Sequence, residues 1–256
     1  ALLKASAEFA AQDYKFPLFI EASQLAKLDY FKSFPHLATF PVCLKDDEDN
    51  LTEFAAKDHS ATVHFSKLDD VKSVLTPAAC YHLYINLRES AVADTGYFTM
   101  MCPCFRREKF YEPLQRQWSF SMREIVAVGK AEDVELFMQR AEALAPAFAE
   151  RLGINFVWTV ATDPFFKPHE DPKYFAQVVS PTKKEMIFGD GLSIGSLNNH
   201  RTYFGEAFQI RTGSEFVSSS CLAFGLERWI FAILKTHGHD SQHWPKNVKE
   251  LMQNGV

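Results

Sequence analysis

Nowhere is the chain continuously apolar for the roughly 18–20 residues that a membrane-crossing helix needs, and no charged-then-apolar segment opens it. No membrane partner and a cytoplasmic location are therefore expected. Positive charge is not in excess either. With 27 Lys and Arg against 32 Asp and Glu, the formal net charge is −5, which argues against a broad nucleic-acid footprint, though a local basic patch remains compatible. Cysteine is sparse and scattered: five residues, an odd number, with no C-x-x-C pair. That disfavours a disulfide framework and leaves reduced thiols or metal ligands. Internal repeats, low-complexity tracts and linkers are all missing, so the 256 residues are expected to form a single domain, with 1–75 as a peripheral portion.

What is present is ample core material. Hydrophobic residues make up 47% of the chain and Phe alone supplies 24 positions, most of which are expected to be buried packing. The informative stretch runs from Thr95 to Val128 and reads as two strands joined by a polar, charge-rich loop. In the first, Cys104, Arg106 and Glu108 alternate and are expected on one face. In the second, Phe120, Met122, Glu124, Val126 and Val128 alternate, which sets one carboxylate in an apolar row. A buried carboxylate demands a cation, a metal or a hydrogen-bond network, so Glu124 is a candidate for chemistry.

Elsewhere the pattern predicts short helices over Leu2–Ala11, Leu51–His59 and Leu68–Leu75, and an edge strand or packing arm in the segment YFKSFPHLATFPV. The run KDDEDN reads as a solvated loop or helix start. Thr76 and Pro77 read as N-cap and first position of a helix that carries Cys80 in its first turn. Ala131–Leu152 has the i, i+3, i+4, i+7 spacing of an amphipathic helix ended by Gly153. Strands are expected at Asn155–Val160, Met186–Phe188, Leu192–Leu197 and Tyr203–Ile210, the middle two around Gly189-Asp190-Gly191. After the small residues of SSSCLAFG, a helix apolar nearly all round is expected from Phe224 to Leu234, buried on all sides, with Gly238 as its stop.

Arginines aimed from a strand pair and from a following helix make a natural polyphosphate site, because the guanidinium fork matches phosphate oxygens. The alternative is that Arg106 and Arg228 merely pair with Glu108 and Glu227. Phe105-Arg106-Arg107-Glu108, a loop, and Phe120 four residues before Glu124 resemble motif 2 of the class II aminoacyl-tRNA synthetases. Gly225-Leu226-Glu227-Arg228 resembles their motif 3, in the same order. The Cys-Phe-Arg-x-Glu form and the late SLNNHRTYFGEAF look most like the seryl branch. The resemblance implies an α+β fold: an antiparallel sheet flanked by helices, in a homodimer.

Residue by residue, it implies Arg106 at the α-phosphate of ATP, Glu108 at the adenine amino group, Phe120 stacked on adenine, and Arg228 over its other face and the γ-phosphate. Magnesium is implied for the polyphosphate, without assigned ligands. Glu185 in KKEMIF and the polar run Ser196 to His200 align loosely with the family's metal and substrate segments, with Glu185, Ser196 and Asn199 as the substrate-binding candidates. An unusual seryl-type branch holds zinc with two cysteines and the motif 2 glutamate, which implies Cys80, Glu124 and Cys221 as ligands. Cys102 and Cys104, as C-P-C, are the competing pair. Cys43 has no partner in view, and His237, His239 and His243 read as a polar loop.

Residues 1–75 show neither sustained heptads nor a basic face for tRNA, and the Glu108–Phe120 loop is short. YFKSFPHLA, AACYHLY, ATDPFF and SSSCLAFGLERW resemble the amino acid:[carrier protein] ligases throughout. That family implies activation of a small amino acid, glycine or alanine, with ATP and its transfer to the phosphopantetheine thiol of a carrier protein, without tRNA. The alternatives are a tRNA-dependent seryl-type core, an adenylate-forming ligase with another acceptor, and a non-catalytic paralogue.

Overall fold

The computed structural model describes residues 6–253, so the first four residues of the expected Leu2–Ala11 helix lie outside the described residues. Seven strands form one sheet in the order β1 (Gln12–Tyr14), β4 (Gly96–Phe105), β5 (Ser119–Gly129), β11 (Ser218–Gly225), β8 (Leu192–Arg201), β7 (Lys183–Phe188) and β6 (Val157–Val160). Every pairing is antiparallel except the edge pair β1–β4. The fold is thus α+β with a mixed sheet, as expected apart from its parallel edge. Two small ribbons, β2–β3 (Phe19–Glu21 with Ser73–Leu75) and β9–β10 (Arg211–Thr212 with Glu215–Phe216), lie outside the main sheet. The helices are α1 (Ala22–Ala26), α2 (Tyr30–Ser33), α3 (Glu48–Ala55), α4 (Tyr81–Asn86), α5 (Ala131–Arg151), α6 (Pro172–Val179), α7 (Tyr203–Phe208), α8 (Leu226–His237) and α9 (Lys246–Gln253). Among the described residues, none is long and apolar enough to cross a membrane.

Strand alternation splits the sheet into two faces with different uses. Ile125, Ala127, Leu222, Phe224, Ile194, Leu197 and Met186 pack beneath Val134, Phe137, Ala141, Ala145 and Phe148 of α5 and Trp229 and Ile233 of α8. The opposite face carries Met100, Cys102, Cys104, Val126, Val128 and Cys221, covered by Leu83 and Tyr84 of α4, Phe204 and Phe208 of α7, and Val74. Glu124 lies on this second face, between Met122 and Val126. Helix α5 ends where expected: Gly153 takes φ +67, and a Cβ there would meet His237 at 2.9 Å, so glycine is required twice over.

Several expectations fail for physical reasons. Leu68–Leu75 is not a helix: Ser73–Leu75 pairs with Phe19–Glu21, and Leu68 and Val71, which mimic a helical period, are exposed. Tyr203–Ile210 is a helix rather than a strand, with Phe204 and Phe208 buried one turn apart. The aromatic segment after Asp29 forms a helical turn and a 3-10 turn at Pro35–Leu37, not an edge strand. The acidic run does start a helix, Asp47 capping Asn50 N–H. Thr76 caps nothing: its hydroxyl donates to Ala78 O, α4 begins only at Tyr81, and Cys80 stands just before it. Phe224 belongs to the central strand β11, hidden in a serine-rich run. Helix α8 is amphipathic rather than buried all round, with Ile230 exposed.

Candidate active site

Four strands bring their site-facing residues into one row. The register sets Glu124 beside Ala223, Ala223 beside Ser196 and Ser196 beside Glu185, while Cys221 faces Asn198 and Asn198 faces Lys183. Ala223, Gly225 and Ser196 are small, so the floor stays low and a cavity of about 480 Å³ opens above it. Arg106, Glu108, Phe120, Arg228, Cys80, Glu124, Cys221, Glu185, Ser196 and Asn199 all line this cavity. Every residue proposed from sequence for the site is therefore brought to one chamber.

At its buried end, ligand atoms of Cys80, Glu124 and Cys221 lie within 4.8 Å of one another. Among the described residues no other such group of three or more arises. Glu124 is 1% exposed; Oε1 accepts the Ala79 N–H at 3.2 Å, while Oε2 is buried without a partner. Burial, then the neighbouring Cys221 sulfur, pushes its carboxyl up to about 8. Hydrogen bonding to Cys221, with burial and Glu124, holds Cys80 protonated; donors from Cys80, His200 and Asn198 make Cys221 the more acidic. Two sulfurs and one carboxylate, whose Oε2 is the buried oxygen without a partner, fit a tetrahedral divalent ion that keeps one open position. All five cysteines are free thiols. Cys102 and Cys104 donate to backbone carbonyls within the second core and do not line the cavity, and Cys43 is exposed.

At the other end, the loop before α4 anchors Arg106: its Nε donates to Pro77 O at 2.8 Å, and its guanidinium lies 5.2 Å from the Phe120 ring centre. Strand β4 stops at Phe105, so Arg106 and Glu108 lie beyond the strand in the loop; the expected alternation with Cys104 does not extend to them. Arg228 donates from Nε to Gln115 O and from Nη1 to Ser193 O, both at 2.7 Å. The simple pairing alternative fails. Glu108 is bonded by Arg116 at 2.7 Å, Glu227 accepts the Ser121 N–H, and among the described residues neither Arg106 nor Arg228 has a carboxylate in ion-pair range. Burial, Arg116 and Arg106 hold Arg228 below its ordinary basicity, and an anion bound beside these guanidiniums would offset that crowding of positive charge.

Glu185 is bonded by Lys183 at 3.1 Å, and Lys183 also reaches Asp163 at 3.0 Å. Burial opposes the charge of Lys183, but the two carboxylates outweigh it and keep the ammonium protonated. Ser196 Oγ accepts from Asn198 at 3.0 Å, and Asn199 Oδ1 from the Arg201 N–H at 2.9 Å. No magnesium ligand set emerges from these partners. His237 closes α8 rather than lying in a loop and bonds the Leu152 carbonyl, while His243 pairs with Asp240 in a 3-10 turn. Sequence reading placed Asn198 and His200 only within the polar run Ser196 to His200, with no role of their own, and missed Arg116 and Lys183. The run Asn198-Asn199-His200 was the only hint, and nothing in the sequence marked Lys183.

The tRNA synthetase class II core domain family (G, H, P, S and T) matches residues 66–237. Amino acid–[acyl-carrier-protein] ligase 1 of Bradyrhizobium diazoefficiens is 32% identical over 260 aligned positions, covering 98% of this chain and 79% of that protein. The type-2 serine–tRNA ligase of Methanopyrus kandleri is 27% identical, over 72% of this chain and 38% of its own length. The M. kandleri seryl-tRNA synthetase, solved with an A. aeolicus tRNASec, superposes with a TM-score of 0.80 at 19% identity, covering 98% of this chain but 53% of that one. The shared fold, with motif 2, motif 3 and their arginines in one cavity, agrees with these likenesses: the chain belongs to the amino acid:[carrier protein] ligases, ATP-dependent enzymes of the class II aminoacyl-tRNA synthetase superfamily.

Proposed function

We propose that this chain activates a small amino acid, glycine or alanine, as its aminoacyl-adenylate and passes it to the phosphopantetheine thiol of a carrier protein. The observation that carries the reading is the meeting of Cys80, Glu124 and Cys221 with Arg106 and Arg228 in one cavity. A zinc ion held by those three ligands would supply a Lewis-acid position for the substrate's α-amino group. Phe120 stacks the adenine, Glu108 receives its amino group, and Arg228 covers its other face and the γ-phosphate. Arg106 lies at the α-phosphate, where it neutralises charge as the amino-acid carboxylate attacks phosphorus and pyrophosphate leaves. The carrier thiol then attacks the adenylate carbonyl, forming the thioester and releasing AMP. No protein nucleophile is required. Magnesium accompanies the polyphosphate, and Ser196, Asn199 and Glu185 border the amino acid.

The working form is proposed to be a cytoplasmic homodimer of one catalytic domain, with residues 1–75 supplying contacts. The exposed Leu18, Phe19, Phe40 and Val42 of that portion support this. A second reading, a core that charges tRNA, draws on the likeness to type-2 serine–tRNA ligases. Incubation with ATP, magnesium, an amino acid panel and either a phosphopantetheinylated carrier or tRNA separates the two. A carrier mass increase of one amino acid residue supports the proposal. Aminoacylated tRNA with an unmodified carrier overturns it.

A further inference from the structure

Behind Cys221 the sheet is irregular. The β8–β11 register shifts between Ser219 and Ser220: Ser220 faces Asn199, Ser219 faces Arg201, and His200 is the extra residue. Bulges of this kind re-aim a side chain, and here the ring turns to the metal-ligand cluster. His200 Nε2 lies 3.6 Å from Cys221 Sγ. Its Nδ1 faces the Tyr84 hydroxyl at 3.0 Å and the Ser219 hydroxyl at 3.3 Å. Tyr84 and Ser219 are fully buried. Phe204 holds both rings, stacking on Tyr84 with centres 3.9 Å apart and meeting His200 edge-on at 4.9 Å.

We propose that His200 is a positioning residue for Cys221: with Tyr84 and Ser219 bonded behind it, its Nε2–H donates to the Cys221 sulfur and tunes that ligand toward a bound divalent ion. This rests on the metal reading above. When Tyr84 donates its hydroxyl proton to Nδ1, the ring proton must sit on Nε2, the nitrogen that faces the sulfur. Asn198 Nδ2 adds a second donor at 3.3 Å. Two thiolates and a carboxylate exceed the charge of a divalent cation by one, so donors to a ligand sulfur drain electron density that would otherwise weaken the ion as a Lewis acid. The packing needs only the Tyr84 ring; its hydroxyl serves the histidine.

The test uses the full chain loaded with cobalt(II), read by the thiolate-to-cobalt charge-transfer band and by chelator competition. Tyr84→Phe and His200→Ala should each weaken cobalt binding about tenfold and move the band to longer wavelength. His200→Gln, whose amide can donate without a partner behind it, should keep the wild-type band, and adding Tyr84→Phe to it should change nothing more. A band unmoved in Tyr84→Phe and His200→Ala overturns the proposal. So does a Tyr84→Phe effect of equal size in both backgrounds, which would mark a packing effect. Wild-type protein without any cobalt–thiolate band overturns the metal reading itself, and this inference with it.

Discussion

The carbonyl of Pro77 accepts the Nε–H of Arg106 at 2.8 Å. The same short loop delivers the Ala79 N–H to Glu124 and ends at Cys80. Arg106 and two metal-ligand candidates are thus held by one turn. Arg106→Lys keeps the charge but loses the planar fork whose Nε bonds Pro77 and which the proposed function sets at the α-phosphate. Amino-acid-dependent ATP–pyrophosphate exchange should fall about 10²–10³-fold, with far-UV circular dichroism unchanged. Exchange within twofold of wild type would contradict the role of Arg106.

Glu124 gives a pH signature in metal-free protein. Its carboxyl is raised from 4.5 to about 8 by burial and Cys221, so the folded state binds the proton more tightly than the unfolded chain. The contribution is complete below about pH 4.5 and is lost as pH rises through about 8. Chelator-treated wild type should therefore melt lower at pH 9 than at pH 6. Glu124→Gln should flatten that difference, and added zinc should raise the melting temperature of wild type only. Parallel melting profiles for both proteins would remove Glu124 from the account.

Lys183 holds two carboxylates, Asp163 and Glu185, at the cavity wall. Lys183→Met leaves both without their cation, and stability should drop by up to about 3 kcal/mol, the lower end for a broken buried pair because Asp163 is partly exposed. Urea unfolding measures it. Lys183→Arg should recover part of the loss.

Gly153→Ala places a Cβ at φ +67 and 2.9 Å from His237. A cost of about 1–3 kcal/mol is expected from the backbone alone. Because the site lies on the opposite face of the sheet, exchange activity at 20–25 °C should hold while the melting temperature falls.

Motif chemistry was far more legible than strand geometry. Glu124 stood out because period-two alternation exposes a carboxylate among Met122, Val126 and Val128, and the arginines stood out by type and order. The central strand Ser218–Gly225 did not, since Ala223 and Gly225 are small where they floor the cavity and its serines are weak strand formers. His200 was invisible as a partner of Cys221 because a bulge, not spacing, turns it inward. Leu68–Leu75 misled because the exposed Leu68 and Val71 reproduced a helical period that no packing uses.

The central claim is that a three-ligand metal site and an arginine-lined nucleotide site act together in amino acid activation. The most direct measurement is amino-acid-dependent ATP–pyrophosphate exchange across an amino acid panel, with metal content determined on the same sample. The account predicts exchange with glycine or alanine, about one zinc per chain, and loss of exchange on zinc removal or in Cys221→Ala. Folded protein that contains zinc yet exchanges with no amino acid, or that exchanges equally well after zinc is stripped, would contradict it.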